Sequence, residues 1–255
     1  MTHTLLRRLH LWLSIPCGLF FSFLCLTGAL LVFEEEVTDL VAQVAPEQTI
    51  VSEFTGRPKI PLYRTIRDGH RYLFDRPDES GGMSAGKMVV GVTTLLSFFV
   101  LVSGFLLRLP HSLRRLKSLL ILTFRKKRQR FWFWSHAALG FWAAVLLIVM
   151  CLTGLTWSFD WYNAAFYGAL GFVPTTQKVE TVHGTHSATK KDPYPMMHRS
   201  GGAVSIKSLV KHIHMGSFGG PVTKALWLMA SLVGTFLPLT GYYIWFRRLR
   251  CHGRK

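Results

Sequence analysis

The 255 residues carry 30 Lys and Arg against 13 Asp and Glu, a formal net charge of +17, yet 49% of them are hydrophobic. The apolar residues gather in four long runs, which excludes a water-soluble domain, and only four cysteines are present, too few and too scattered for a disulfide scaffold. A chain this basic invites a nucleic-acid reading, but the distribution of the charge, taken up below, excludes it.

The four runs are Leu11 to Phe33, Met88 to Leu107, Phe131 to Phe159 and Ala225 to Phe246. Each reaches the roughly 20 residues that an α-helix needs to cross about 30 Å of hydrocarbon. The first follows Arg7 and Arg8 as a secretory signal would, but its apolar stretch is longer than a signal core, and the Glu34-Glu35-Glu36 that follow do not resemble a cleavage site. It is read as a retained span.

Charge sets the expected orientation. Segments 1–10, 108–130 and 247–255 hold two, nine and five Lys/Arg and no acid, whereas all 13 acids lie in 34–87 and 160–224 beside 14 Lys/Arg. The three basic segments, and so both termini, are predicted to be cytoplasmic. The positive charge is then what membrane insertion demands, and no nucleic-acid partner is implied. Cys17, Cys25 and Cys151 fall inside spans and Cys251 in the tail, so no disulfide is expected on the exported side.

The expected fold is an all-α membrane protein, a four-transmembrane-helix bundle. Residues 1–107 form a first hairpin with a periplasmic loop 34–87, and residues 108–130 form a basic cytoplasmic connection. Residues 131–255 form a second hairpin with a periplasmic loop 160–224 and a basic tail. Thr49–Phe54 and Gly56–Pro61 read as strand-like or turn-like pieces, Ser112–Phe124 as either a short amphipathic helix on the membrane surface or a solvated basic loop, and 160–224 as mostly loop. Trp132, Trp134, Trp157 and Trp161 bracket the third run as an aromatic belt.

The two hairpins repeat each other. His10 precedes Cys25-Leu26-Thr27-Gly28 by the same interval at which His136 precedes Cys151-Leu152-Thr153-Gly154. Ser103-Gly104 and Thr240-Gly241 occupy matching late positions in the second and fourth runs, preceded by His70 and His214 at comparable but unequal intervals. The Arg76–Gly82 turn accounts for the longer one. Such a repeat predicts a pseudo-two-fold axis along the membrane normal. The axis would pair His10 with His136 at the inner ends and His70 with His214 at the outer entrances.

Two opposed imidazoles at each end are the axial ligand set of a six-coordinate haem, a form suited to passing electrons. Without a Cys-x-x-Cys-His motif, the haem would be bound non-covalently. Ser14 and Ser135 are candidate partners for the second ring nitrogens. Gly28 and Gly154 lie about five helical turns beyond His10 and His136, and thus on the same face. They would give close helix approach or room for a flat macrocycle. His212 competes with His214 as outer ligand. His183, His186 and His198, with Met196 and Met197, read as solvated loop residues.

These motifs together resemble the PepSY-associated transmembrane helix family. The resemblance rests on Leu9-His10-Leu11-Trp12 with Leu26-Thr27-Gly28, on His70-Arg71-Tyr72-Leu73-Phe74, on His136-Ala137-Ala138-Leu139-Gly140-Phe141-Trp142 with Leu152-Thr153-Gly154, and on His214-Met215-Gly216-Ser217-Phe218-Gly219-Gly220 with Thr240-Gly241-Tyr242. It covers all four runs. Members are bacterial inner-membrane proteins often linked to iron uptake, some of them dihaem reductases of ferric siderophores.

The resemblance therefore implies two haem b groups held by His10, His136, His70 and His214. It also implies a ferric siderophore or other ferric chelate as substrate and a cytoplasmic or quinol electron donor, with membrane lipid around the bundle. No catalytic residue is singled out. Many relatives carry larger periplasmic PepSY modules than the short connections of this chain. The alternatives are a non-redox scaffold of an uptake system, or a transporter of metal or small solute. A transporter usually carries acids at mid-membrane, and these runs have none.

Overall fold

The structure, a computed structural model, describes residues 2–51, 56–77, 82–109, 128–172, 196–199 and 202–252. Four long helices dominate it: α1 (Thr2–Leu31), α4 (Ala85–Arg108), α5 (Arg128–Ser158) and α8 (Gly220–His252). Each contains a stretch long and apolar enough to span a bilayer. They begin before the apolar runs, and α1, α5 and α8 carry charged residues at their ends, because a helix continues its hydrogen bonding through the interface until something breaks it.

The helices form a four-cornered bundle. α1 packs against α4 and α8, and α5 packs against the same two, so α1 and α5 stand at opposite corners, as do α4 and α8. The first residues of α1 and α5 and the last residues of α4 and α8 share one end, called here the terminal end. The described elements that follow α1 and α5 share the other, the loop end. Large apolar side chains such as Trp12, Leu19, Phe99, Trp142, Met229 and Phe236 are exposed on the outside of the bundle, where lipid covers them.

The middle of the bundle is a close-packed plug. Phe21 and Cys25 of α1, Leu101 of α4, and Ala143, Leu147 and Cys151 of α5 are buried together, with Phe98, Ile148, Val233 and Leu237 against them. Cys17, Cys25 and Cys151 are free thiols. α1 approaches α8 most tightly where Gly18 meets it, since a Cβ there would stand 3.0 Å from Pro238 Cβ and 2.7 Å from Tyr242 Oη. Tyr242 turns this approach into a bond, donating its hydroxyl to the Ile15 carbonyl at 2.6 Å.

Shorter elements cap the loop end. The first connection holds α2 (Glu34–Val44), a two-residue strand pair β1 (Ile50–Val51) and β2 (Pro58–Lys59), and α3 (Pro61–Tyr72). The second holds α6 (Asp160–Ala169), an antiparallel pair β3 (Met196–Arg199) and β4 (Gly202–Ser205), and α7 (Ile206–Met215). Composition predicts mostly loop for 160–224, yet the described part is largely regular. Tyr167 of α6 buries itself with Ile206 and Val210 of α7, flanked by Phe166 and Phe172. That small apolar cluster stabilises two helices that propensity alone would leave marginal. The predicted surface helix Ser112–Phe124 lies outside the described residues.

The bond between α1 and α8 is open to a direct check. Tyr242→Phe is expected to lower unfolding stability in detergent by about 1 kcal/mol, the net worth of one hydrogen bond. Gly18→Val should cost more, because its branched side chain meets Pro238 as well as Tyr242. Equal stability of both variants with the parent would contradict this packing.

Candidate functional site

Each end of the bundle presents one pair of imidazoles. At the terminal end the rings of His10 (α1) and His136 (α5) have centres 6.5 Å apart and planes at 78°. At the loop end the rings of His70 (α3) and His214 (α7) have centres 6.4 Å apart and planes at 54°. His70 and His214 do not belong to the four spans, so the cap helices must aim them inward.

Local structure explains the aim of His70. Helix α3 ends at Leu73 and Phe74, both left-handed at φ 49° and 68°. Asp75 then ties the turn to the start of α4, its side chain accepting from the Gly86 amide at 2.8 Å and its carbonyl from Ser84 Oγ at 2.6 Å. Gly86 is required there, because a Cβ would overlap the Tyr72 carbonyl oxygen. Phe74 folds back onto Phe23 of α1 with ring centres 6.2 Å apart. The last turn of α3, with His70, is thereby pinned over the bundle.

His214 is held by the same means from the other side. Helix α7 ends at Gly216 in the left-handed region, φ 70°, where the Trp227 side chain leaves no room for a Cβ. Thr223 donates to the Gly216 carbonyl at 2.5 Å. The Trp157 ring stands edge-on to His214 at 5.1 Å. His212 points elsewhere: it is exposed and bonds Ser217 through Nδ1 at 2.7 Å. His214, and not His212, faces His70.

All four rings rest on the same device, a hydroxyl residue followed by glycine on a neighbouring helix. His10 lies against Ser103-Gly104, His136 against Thr240-Gly241, His70 against Thr27-Gly28 and His214 against Thr153-Gly154. A Cβ added to these glycines would stand 2.9, 3.5, 3.3 and 3.1 Å from the respective ring Cε1 atoms. At Gly104, Gly28 and Gly154 the ring presses into the space that a side chain would need, whereas at Gly241 a Cβ would only touch it.

The hydroxyls meet Nδ1. The distances are 3.2 Å from His10 to Ser103, 2.8 Å from His136 to Thr240, and 2.9 Å both from His70 to Thr27 and from His214 to Thr153. Each hydroxyl gives its own hydrogen to a carbonyl of its helix, at Val100, Leu237, Phe23 and Val149 respectively. Its oxygen is thus the acceptor and Nδ1–H the donor. His10 Nδ1 also reaches the Val100 carbonyl at 3.0 Å, which can only accept. With Nδ1 protonated, the lone pair of each neutral ring resides on Nε2. Burial pushes the His70 and His214 pKa values down to about 4, so at pH 7 both rings are neutral.

Ser14 and Ser135, the expected partners, are not used by these rings. Ser14 donates instead to the Leu11 carbonyl of its own turn, and the Nδ1 atoms of His10 and His136 bond to α4 and α8. Gly28 and Gly154 also act differently from expectation. They do share a face with His10 and His136, but they sit about 27 Å further along the helix and seat the rings of the opposite pair. His183 and His186 lie outside the described residues, and His198 lies in β3.

Among the described residues no group of three or more His, Cys, Asp or Glu side chains could hold a metal ion. A bare zinc or similar ion takes three or four protein ligands, and each pair supplies two. The pairs suit a metal that brings its own equatorial nitrogens. Two rings sharing one metal, with bonds of about 2.0 Å and about 1.1 Å from nitrogen to ring centre, have centres about 6.2 Å apart. The separations of 6.5 and 6.4 Å fit that requirement.

The tautomer is directly measurable. Nitrogen-15 spectra of histidine-labelled protein in micelles should place the proton of His10, His70, His136 and His214 on Nδ1. Protonation on Nε2 would contradict the arrangement.

Comparison with known families places the chain as a whole. The model of the PepSY-associated TM region matches residues 7–55 and 42–248, a span that includes all four bundle helices and all four histidines. No curated protein matches the chain. A multi-pass membrane protein, the chain belongs to the PepSY-associated transmembrane family.

Proposed function

We propose that this chain is a haem-carrying oxidoreductase of the bacterial inner membrane that moves single electrons outward to ferric chelates, ferric siderophores above all. The observation that carries this reading is the double pair of opposed imidazoles, each ring with its Nδ1 tied down and its Nε2 lone pair left for a metal. His10 with His136, and His70 with His214, would each hold one haem b without a covalent link. When bound, haem held by two histidines would supply a one-electron couple suited to electron transfer and not to O₂ binding.

The residues of the chain do the rest. Thr27, Ser103, Thr153 and Thr240 fix each tautomer and orient each ring, as outer hydrogen bonds do for metal-bound histidines. Phe21, Leu101, Ala143 and Leu147 pack the middle of the bundle with buried apolar side chains. The spans contain no Asp or Glu, which argues against proton-coupled or cation-coupled transport. Basic segments 1–10, 108–130 and 247–255 favour a cytoplasmic terminal end. A cytoplasmic or quinol donor would then act at the His10/His136 end and the chelate at the His70/His214 end. One electron converts chelated Fe(III) to Fe(II), a softer ion that hard oxygen ligands hold less firmly.

The purified protein is expected to carry two haems. His10→Ala or His136→Ala should remove or alter one, His70→Ala or His214→Ala the other, and His212→Ala neither, all read from the Soret band and haem stoichiometry. A preparation without a Soret band, after expression with ample haem, would favour a non-redox scaffold. A His212→Ala variant that behaves like His214→Ala would overturn the assignment at the loop end.

A further inference from the structure

Arg108, the last residue of α4, holds a cation with no counter-ion among the described residues. Its Nε and Nη2 are buried and have no hydrogen-bond partner there. The guanidinium lies over the Trp134 ring of α5, 4.5 Å from its centre. A stacked aromatic face satisfies the cation in part, but it leaves the donors on Nε and Nη2 unused. Buried donors in that condition are costly unless an acceptor completes them.

No described acid is placed to do so. All 13 Asp and Glu fall within 34–87 and 160–224 of the sequence, and those the structure describes lie at the loop end, whereas Arg108 is at the terminal end. An anion from outside the chain would complete the cation. Position says which anion. Arg108 stands four residues after Gly104, on the same face of α4 and about 6 Å further along, and Gly104 is the seat of the His10 ring. Trp134 stands two residues before His136. The cation is thus one helical turn from the first imidazole pair.

We infer that Arg108 anchors a carboxylate of the tetrapyrrole held between His10 and His136, through the charged, forked hydrogen bonding that guanidinium offers a carboxylate. This rests on the haem reading above. Trp134 holds the face of the guanidinium so that its edge is free for the ligand. The second half of the repeat has Trp245 at the matching position, four residues after Gly241, so the anchor breaks the two-fold equivalence and selects one orientation of the macrocycle. At the loop end the buried cation, Lys224, is already paired with Glu36 at 2.5 Å and plays no such part.

The test is a binding titration of the haem-free full chain with haemin and with haemin dimethyl ester, whose carboxylates are capped. It is made in the His214→Ala background, so that only the first pair is read. Arg108→Gln should weaken haemin about ten-fold or more, Arg108→Lys should retain most of the affinity, and the ester should bind all three alike. In the chain with Arg108 intact, the ester should bind more weakly than haemin at this site, a comparison independent of any variant's folding. Equal haemin affinity for Arg108 and Arg108→Gln would overturn the inference and leave the haem reading intact. So would an ester that discriminates as haemin does, which would point to packing or to a lipid phosphate as counter-ion. A parent chain that takes up no haemin would overturn the haem reading, and the inference with it.

Discussion

The hydrogen bond from each imidazole Nδ1 to a hydroxyl on a neighbouring helix is the contact on which the arrangement depends. It does three things at once. It joins elements distant in sequence, as when Thr153 of α5 meets His214 of α7 at 2.9 Å. It selects the tautomer, because each hydroxyl spends its own hydrogen on its helix backbone. It also orients the ring, since the glycine that follows offers a flat, side-chain-free surface at that level of the helix. Four copies of one contact thus determine where four Nε2 lone pairs are offered.

The bundle exists to hold those contacts at two depths. The stretch from His10 to Thr27 of α1, like that from His136 to Thr153 of α5, corresponds to about 25 Å of helix. One helix therefore contributes a ring at one end and a seat at the other. Between them lies a plug that includes Leu147, only 1% exposed, and two buried cysteines. The ion pair that joins α3 to α2, Arg67 to Glu34, and the one that ties the turn after α3 back to it, Arg76 to Asp68, lie at the surface; their contribution to stability is small. The close contacts of Phe74, Gly86, Trp227 and Thr223 do more to keep His70 and His214 in place.

Much of this was legible in the sequence, and the remainder fails for definable reasons. Length and hydropathy are enough to locate spans, because a bilayer imposes both. The equal intervals from His10 to Cys25 and from His136 to Cys151 identify the repeat, and the repeat pairs the histidines correctly. What periodicity cannot say is which helix a given face meets. Gly28 and His10 share a face, yet Gly28 serves His70, since the cap helix α3 folds back over the bundle. A signal was present: four hydroxyl-glycine dipeptides, one per span, match four histidines in number. The helices α6 and α7 escaped because Tyr167 cooperates with Ile206 and Val210 across a long stretch of chain, a range that local composition does not see. Arg108 escaped because one arginine among nine Lys/Arg in a basic segment looks like a topology signal until its surroundings are known.

The central claim is that both pairs ligate a haem iron from both sides. Electron paramagnetic resonance of the purified, oxidised protein tests it most directly. The account predicts two low-spin ferric haem species, each with two imidazole ligands, and no high-spin signal. A high-spin, five-coordinate haem at either site, or a protein that binds no haem at all, would contradict it.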